Sequence, residues 1–132
     1  MKIGKAFGTN ERLEQDGVWV DLGDGGSVKV ARAGNKANRK LLKRLVGPHK
    51  AALRSDRLPD DVLEKLTIEC MARTILLDWR GIEEDDGKNV EYSVENAIRL
   101  LTAYKDFRDQ IAASSADLAL YQDAAEEAAA KN

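Results

Sequence analysis

Apolar residues recur at every second position in two short segments that flank a glycine-rich stretch, residues 23–26. The apolar positions of these segments are Val18, Val20, Leu22, Val28 and Val30. Period-two alternation indicates β-strands, and glycines supply the positive φ angles that a tight connection needs. The pattern therefore predicts a β-hairpin over residues 17–32. Residues 1–16 have no clear period, which predicts a lead-in or loop.

Helical spacing of the apolar residues follows the hairpin. A basic helical segment is predicted over residues 38–57, interrupted where Pro48 removes a backbone donor. A core helix is predicted over 59–77, and further helices over 93–131, with Ser93 as a typical N-cap. Together these elements predict one domain, residues 1–132, of the mainly α (α+β) class: an N-terminal β-hairpin followed by a bundle of about four to five helices.

Cysteine content and hydropathy narrow the class of protein. Cys70 is the single cysteine and lies on the apolar stripe of the predicted core helix, so an internal disulfide or thiolate metal cluster is excluded. Apolar runs stay well short of the length that spans a bilayer. These features predict a soluble cytoplasmic protein that does not interact with a membrane.

Charge is distributed unevenly along the chain. Nine Lys or Arg residues and no acidic residue lie within 27–54, whereas the whole chain has a formal net charge of -2. A charge patch for self-association or partner binding is predicted at Lys36, Arg39, Lys40, Lys43, Arg44, Lys50 and Arg54. A nucleic-acid-binding module that uses residues 36–57 is the alternative interpretation, although an acidic pI and the absence of aromatic residues from this segment weigh against it.

Catalytic and metal-binding patterns are incomplete in this sequence. The glycine-rich stretch lacks the third glycine of a dinucleotide fingerprint, because Val28 stands there. The acidic turn over 83–89 fails as a calcium loop, since its first and last positions would be Ile82 and Ser93 instead of carboxylates. His49 and Cys70 have no local signature of a nucleophilic pair. We expect no enzyme activity, no cofactor and no metal.

Three stretches resemble, in their order and spacing, a tail assembly chaperone of long non-contractile-tailed bacteriophages. They run from Met71 to Ile82, from Val90 to Ala97 and from Tyr104 to Asp109. The resemblance implies a protein that binds the tape-measure protein in the host cytoplasm, keeps it soluble and helps to recruit tail-tube subunits. It also implies that the chaperone is not retained in the mature virion. A head-tail connector component of the same gene cluster is a more distant alternative.

Two further expectations concern partner contacts. Four aromatic residues near the recognisable stretches form a candidate partner-binding cluster: Trp79, Tyr92, Tyr104 and Phe107. Exposed aromatic residues would bind client helices, whereas buried ones would anchor the corner after the core helix. The sequence favours the second interpretation.

A basic patch on an otherwise acidic chain also predicts a homo-oligomer formed by salt-sensitive, head-to-tail stacking.

Overall fold

The computed structural model describes residues 1–123 of the chain. Its helices are α1 (Ile3–Phe7), α2 (Glu11–Asp16), α3 (Lys36–Val46), α4 (Lys50–Arg54), α5 (Asp60–Thr74), α6 (Val94–Ala103) and α7 (Lys105–Ser115). Its strands are β1 (Val18–Gly23), β2 (Gly26–Val30) and β3 (Leu76–Arg80). Two 3₁₀ turns occupy Gly47–His49 and Leu118–Tyr121. None of the described helices is both long enough and apolar enough to cross a membrane.

The three strands form one antiparallel sheet in the order β1-β2-β3. Val28 of the central strand pairs with Val20 on one side and Trp79 on the other. Helix α5 packs against α3 and α6, and α7 packs against α6 and β2. The buried core therefore lies between one face of the sheet and the helices, and it includes Val28, Val30, Ile68, Leu76, Ala97, Leu101 and Ile111.

The predicted fold class is wrong in two respects, and the first is the third strand. Leu77 continues the apolar stripe of the core helix in sequence, which predicts a helix throughout residues 59–77. The helix instead ends at Thr74, and β3 pairs with β2 so that Lys29 faces Asp78. Non-local pairing of this kind overrides local helical periodicity. The protein is α+β around a three-stranded sheet, not a hairpin joined to a helical bundle.

The second correction concerns residues 1–16, which were predicted to be a lead-in or loop. The chain begins with two short helices, so its N-terminal part is helical and the hairpin comes after it. The Asn10 side chain caps α2 by accepting hydrogen bonds from the backbone N–H groups of Arg12 and Leu13, at 3.0 and 3.3 Å. Burial of Leu13 then anchors this helix on the rest of the protein.

Side-chain caps mark the starts of α3 and α6. Asn35 accepts a hydrogen bond from the Asn38 N–H at 3.0 Å at the start of α3, and Ser93 accepts one from the Asn96 N–H at 3.0 Å at the start of α6. Pro48 lies in a 3₁₀ turn between α3 and α4, where its missing N–H costs little. The alanine-rich part of the predicted C-terminal helices, residues 124–131, lies outside the described residues.

Candidate functional site

A groove of about 400 Å³ lies at the hairpin-turn end of the sheet. Its wall is formed by the end of β1, the turn after β3, the last turn of α6 and the first turn of α7. We call it the acidic groove and define it by Leu22, Ile82, Glu83, Glu84, Asp85, Leu100, Tyr104, Asp106 and Phe107. The groove brings together residues that are more than 80 positions apart in sequence, so folding alone creates it.

The acidic groove has an apolar floor and an acidic rim. Leu22, Ile82 and Phe107 pack against the buried core, and the ring of Tyr104 is 53% exposed beside them. Four carboxylates surround this floor: Glu83, Glu84, Asp85 and Asp106. Among the described residues, Glu84 is the rim carboxylate with an ion pair, to Arg99 at 2.8 Å. An apolar partner that carries positive charge fits this combination.

Backbone hydrogen bonds hold the acidic turn in place. The Glu84 N–H donates to the Lys88 carbonyl at 2.8 Å, and the Gly87 N–H donates back to Glu84 at 2.9 Å. Gly81 enters the turn with φ of +67°, close against the hairpin turn at Gly25. The acidic turn over 83–89 therefore forms one wall of the groove. A signal for this was present in Ile82, an isolated apolar residue beside a run of carboxylates.

The four aromatic residues proposed as a partner-binding cluster divide into two pairs. Trp79 is buried, with its indole Nε1 donating to the Val90 carbonyl at 2.7 Å. The Tyr92 hydroxyl donates to the Leu76 carbonyl at 2.7 Å. Both therefore anchor the segment after β3, whereas Tyr104 and Phe107 line the acidic groove. A role of these four residues in partner binding stays a prediction.

The predicted charge patch lies on α3 and α4. All seven of its cations are exposed: Lys36, Arg39, Lys40, Lys43, Arg44, Lys50 and Arg54. Within residues 1–123 none of these seven has a carboxylate at ion-pair distance. Two large apolar side chains lie among them, Leu42 at 45% and Leu53 at 42% exposure. We call these nine residues the basic surface.

A cleft of about 500 Å³ between α3 and α5 borders the basic surface. Lys40, Arg44 and Arg73 line it together with Thr74. The guanidinium of Arg73 already pairs with Glu69 at 3.3 Å, so the uncompensated positive charge of the cleft comes from α3. An anionic group would find two unpaired cations in this cleft, Lys40 and Arg44, among the described residues.

The described residues give little support for a nucleophilic catalytic site. Burial raises the pKa of the Cys70 thiol, and the neighbouring Glu69 raises it further, so the thiol stays protonated at neutral pH. His49, the single histidine, lies half-buried in the 3₁₀ turn before α4. Within 1–123 no group of three or more His, Cys, Asp or Glu side chains is placed to hold a metal ion. The absence of enzyme activity stays a prediction.

Comparison with known proteins identifies a family. The family model described as YdaY prophage protein matches residues 33–132, which is more than half of the chain and begins just before α3. Curated proteins and solved structures gave no match. The phage origin implied by the sequence resemblance is thus confirmed, while the finer assignment to tail assembly is not part of the match. The chain belongs to the YdaY prophage protein family and is a phage-derived protein.

Proposed function

We propose that this protein is a tail assembly chaperone, a non-enzymatic protein that binds the tape-measure protein of a long non-contractile-tailed phage. It keeps that client soluble in the host cytoplasm, helps to bring tail-tube subunits to it, and leaves before the virion is complete. Two facts support the proposal: membership of a prophage protein family, and the order of residues between Met71 and Asp109 that resembles such chaperones.

The basic surface is the observation that supports the proposal best. Seven exposed cations lie on the same two helices as the exposed side chains of Leu42 and Leu53, and none of the seven has an ion pair within residues 1–123. The other residues of the chain carry the excess negative charge. Long-range attraction brings a client with acidic and apolar residues to such a surface, and apolar contacts then hold it. Because the cations are exposed, this interaction weakens as salt screens them.

Self-association belongs to the same proposal. A long client needs many copies of a small chaperone along its length, and copies that also contact one another bind it more tightly than isolated ones. A positively charged surface on a chain whose other residues are acidic overall is the condition for a heterologous contact that repeats from copy to copy. Salt-sensitive homo-oligomers are therefore expected.

Co-expression with the tape-measure protein of the same prophage tests the proposal. Wild-type chaperone should raise the soluble fraction of that client and co-purify with it at low salt. Lys40→Glu with Arg44→Glu should abolish both effects, whereas Lys65→Glu with Lys88→Glu, which makes the same change in net charge elsewhere, should preserve them. A tape-measure protein that stays insoluble and does not co-purify with wild-type chaperone would contradict the proposal.

Nucleic acid is the second candidate partner, because Lys40, Arg44 and Arg73 line one cleft and residues 36–57 carry the cations. Duplex DNA titrated against the wild-type protein at rising salt concentrations separates the two functions. Tight binding that falls steeply with salt and disappears in the Lys40→Glu, Arg44→Glu protein would favour this candidate. Weak binding that is unchanged in that variant would remove it.

A further inference from the structure

The N-terminal segment that contains helix α1, residues 1–7, carries the three most exposed large apolar side chains among the described residues. Met1 is 96% exposed, Ile3 66% and Phe7 59%, and the helix buries no residue. Its attachment to the rest of the protein includes hydrogen bonds from the Gln122 side chain to the carbonyls of Ala6 and Gly8, at 3.2 and 3.3 Å. A five-residue helix gains little stability by itself, so α1 has the properties of a segment that binds a surface.

The chemistry of α1 matches that of the acidic groove. Lys2 and Lys5 flank its apolar side chains, and residues 1–10 contain no carboxylate. The groove offers an apolar floor ringed by Glu83, Asp85 and Asp106, for which no ion pair occurs among the described residues. Apolar side chains of α1 on that floor would place its lysines beside those carboxylates. Both surfaces leave apolar side chains exposed, and each carries charged groups that the other surface could pair with.

Helix α1 is attached at the end of the sheet that lies away from the groove of its own chain. Helix α2, which follows α1, is held at the Val30 end of the sheet, because the Arg32 N–H donates to the Glu14 carbonyl at 2.8 Å. The groove lies at the opposite end, where Ile82 packs against Gly26 in the hairpin. The six residues of β1 separate these two ends by roughly 17 Å.

We propose that α1 of one copy binds in the acidic groove of the next copy, with Ile3 and Phe7 on the groove floor and Lys2 and Lys5 beside the rim carboxylates. Donor and acceptor lie at opposite ends of the subunit, so the contact is heterologous and propagates head to tail. This inference rests on the proposed function in one respect. It names the contact through which copies of a chaperone would associate along a long client. It is separate from the basic surface.

Sedimentation velocity of the full chain over a range of concentrations at low salt tests the apolar part of this contact. Wild-type protein should form concentration-dependent oligomers, and Ile3→Ser with Phe7→Ser should weaken association by tenfold or more. Leu63→Ser is the control, because it removes an exposed apolar side chain of α5 that belongs neither to α1 nor to the basic surface, and association should persist. A wild-type protein that is monomeric throughout, or an equal loss in both variants, overturns the inference.

Charge exchange tests the identity of the occupant. Lys2→Glu with Lys5→Glu, and separately Glu83→Lys with Asp85→Lys, should each weaken association, and one chain that carries all four substitutions should recover it. Failure of the fourfold variant to recover association overturns the proposal. If the groove variant alone loses the tape-measure protein and the α1 variant changes nothing, the groove binds that client and not a second copy.

Co-expression separates this inference from the proposed function. An Ile3→Ser, Phe7→Ser chain that is monomeric and still solubilises the tape-measure protein leaves both standing, since the interface exists but is dispensable. A wild-type chain that solubilises the client without associating overturns the inference and the self-association expected of the chaperone, while client binding, the core of the proposed function, stands. Association that follows the charge exchange without any effect on the client overturns the proposed function alone.

Discussion

The indole ring of Trp79 meets the ring of Tyr92 edge to face, with ring centroids 5.1 Å apart and an interplanar angle of 84°. Each ring also donates a hydrogen bond to a backbone carbonyl, Trp79 to Val90 and Tyr92 to Leu76. These contacts close residues 79–92 into a loop, so they fix the acidic turn that forms one wall of the groove. The shape of the candidate site thus depends on two residues outside it.

Removal of the Tyr92 hydroxyl should lower stability without unfolding the protein. Tyr92→Phe leaves the Leu76 carbonyl without this donor, and such a loss costs roughly 1–2 kcal/mol. Tyr104→Phe is the control, since that ring is exposed, and it should stay within about 0.5 kcal/mol of wild type. Urea unfolding monitored by circular dichroism measures both. Equal stability of the two variants would contradict the anchoring role of Tyr92.

Gly81 should tolerate substitution far less well than Gly87, although both have positive φ angles. A Cβ at position 81 would overlap the Gly25 carbonyl oxygen, whereas position 87 has open space. Gly87→Ala therefore carries the backbone cost, roughly 1 kcal/mol, and Gly81→Ala adds a displacement of the hairpin turn, for roughly 3 kcal/mol or more in total.

Thermal unfolding of the two glycine variants provides the measurement. A lower melting temperature for Gly81→Ala than for Gly87→Ala is expected, together with weaker self-association, because the displaced turn borders the acidic groove. Similar melting temperatures would show that the hairpin moves aside at little cost.

The sequence predicted those features of the protein that depend on residues close together in the chain. Alternation at Val18, Val20 and Val28 reports one buried face of a strand, and the caps at Ser93 and the turn glycines depend on residues near in sequence. The position of β3 depends instead on its pairing with β2, about 50 residues earlier. The apolar periodicity of residues 59–77 therefore does not predict that pairing.

Some features of the candidate site could likewise be predicted from the sequence, and others could not. Exposure of Lys40 and Arg44 follows from charge, since isolated cations are rarely buried. The groove was not predictable, because it requires Leu22 of the hairpin to meet Phe107 of α7. Whether each aromatic side chain is buried also depends on tertiary packing. Trp79 is buried, whereas Tyr104, which is also aromatic, is exposed.

Cys70 should react slowly with thiol reagents in the folded protein. The side chain is 4% exposed on α5, and burial raises the pKa of its thiol, so both access and thiolate fraction are low. At pH 8 the rate with a disulfide reagent should be at least about a hundredfold lower than in urea. Ala119→Cys in a Cys70→Ala background supplies an exposed comparison, and similar rates for the two thiols would show that α5 opens readily.

Alkaline pH should destabilise the protein through Tyr121. Burial raises the pKa of this hydroxyl to about 12, and the Arg32 guanidinium over its ring opposes that increase. An unfolded tyrosine titrates near pH 10, so between pH 10 and 12 the unfolded chain loses a proton that the folded chain keeps. The stabilisation is complete below about pH 10 and declines above it, by roughly 2–3 kcal/mol on reaching pH 12.

Tyr121→Phe isolates this effect from the other groups that titrate at high pH. The variant should be less stable than wild type at pH 7, because it loses the hydrogen bond from the Tyr121 hydroxyl to the Val30 carbonyl at 3.0 Å. Its stability should nevertheless fall less steeply between pH 10 and 11.5, since the group with the raised pKa is gone. Urea unfolding at half-unit steps of pH measures both slopes. Parallel slopes would mean that Tyr121 loses its proton as easily in the folded chain as in the unfolded one, and that the Val30 end of the sheet, where α2 is attached, is open to solvent.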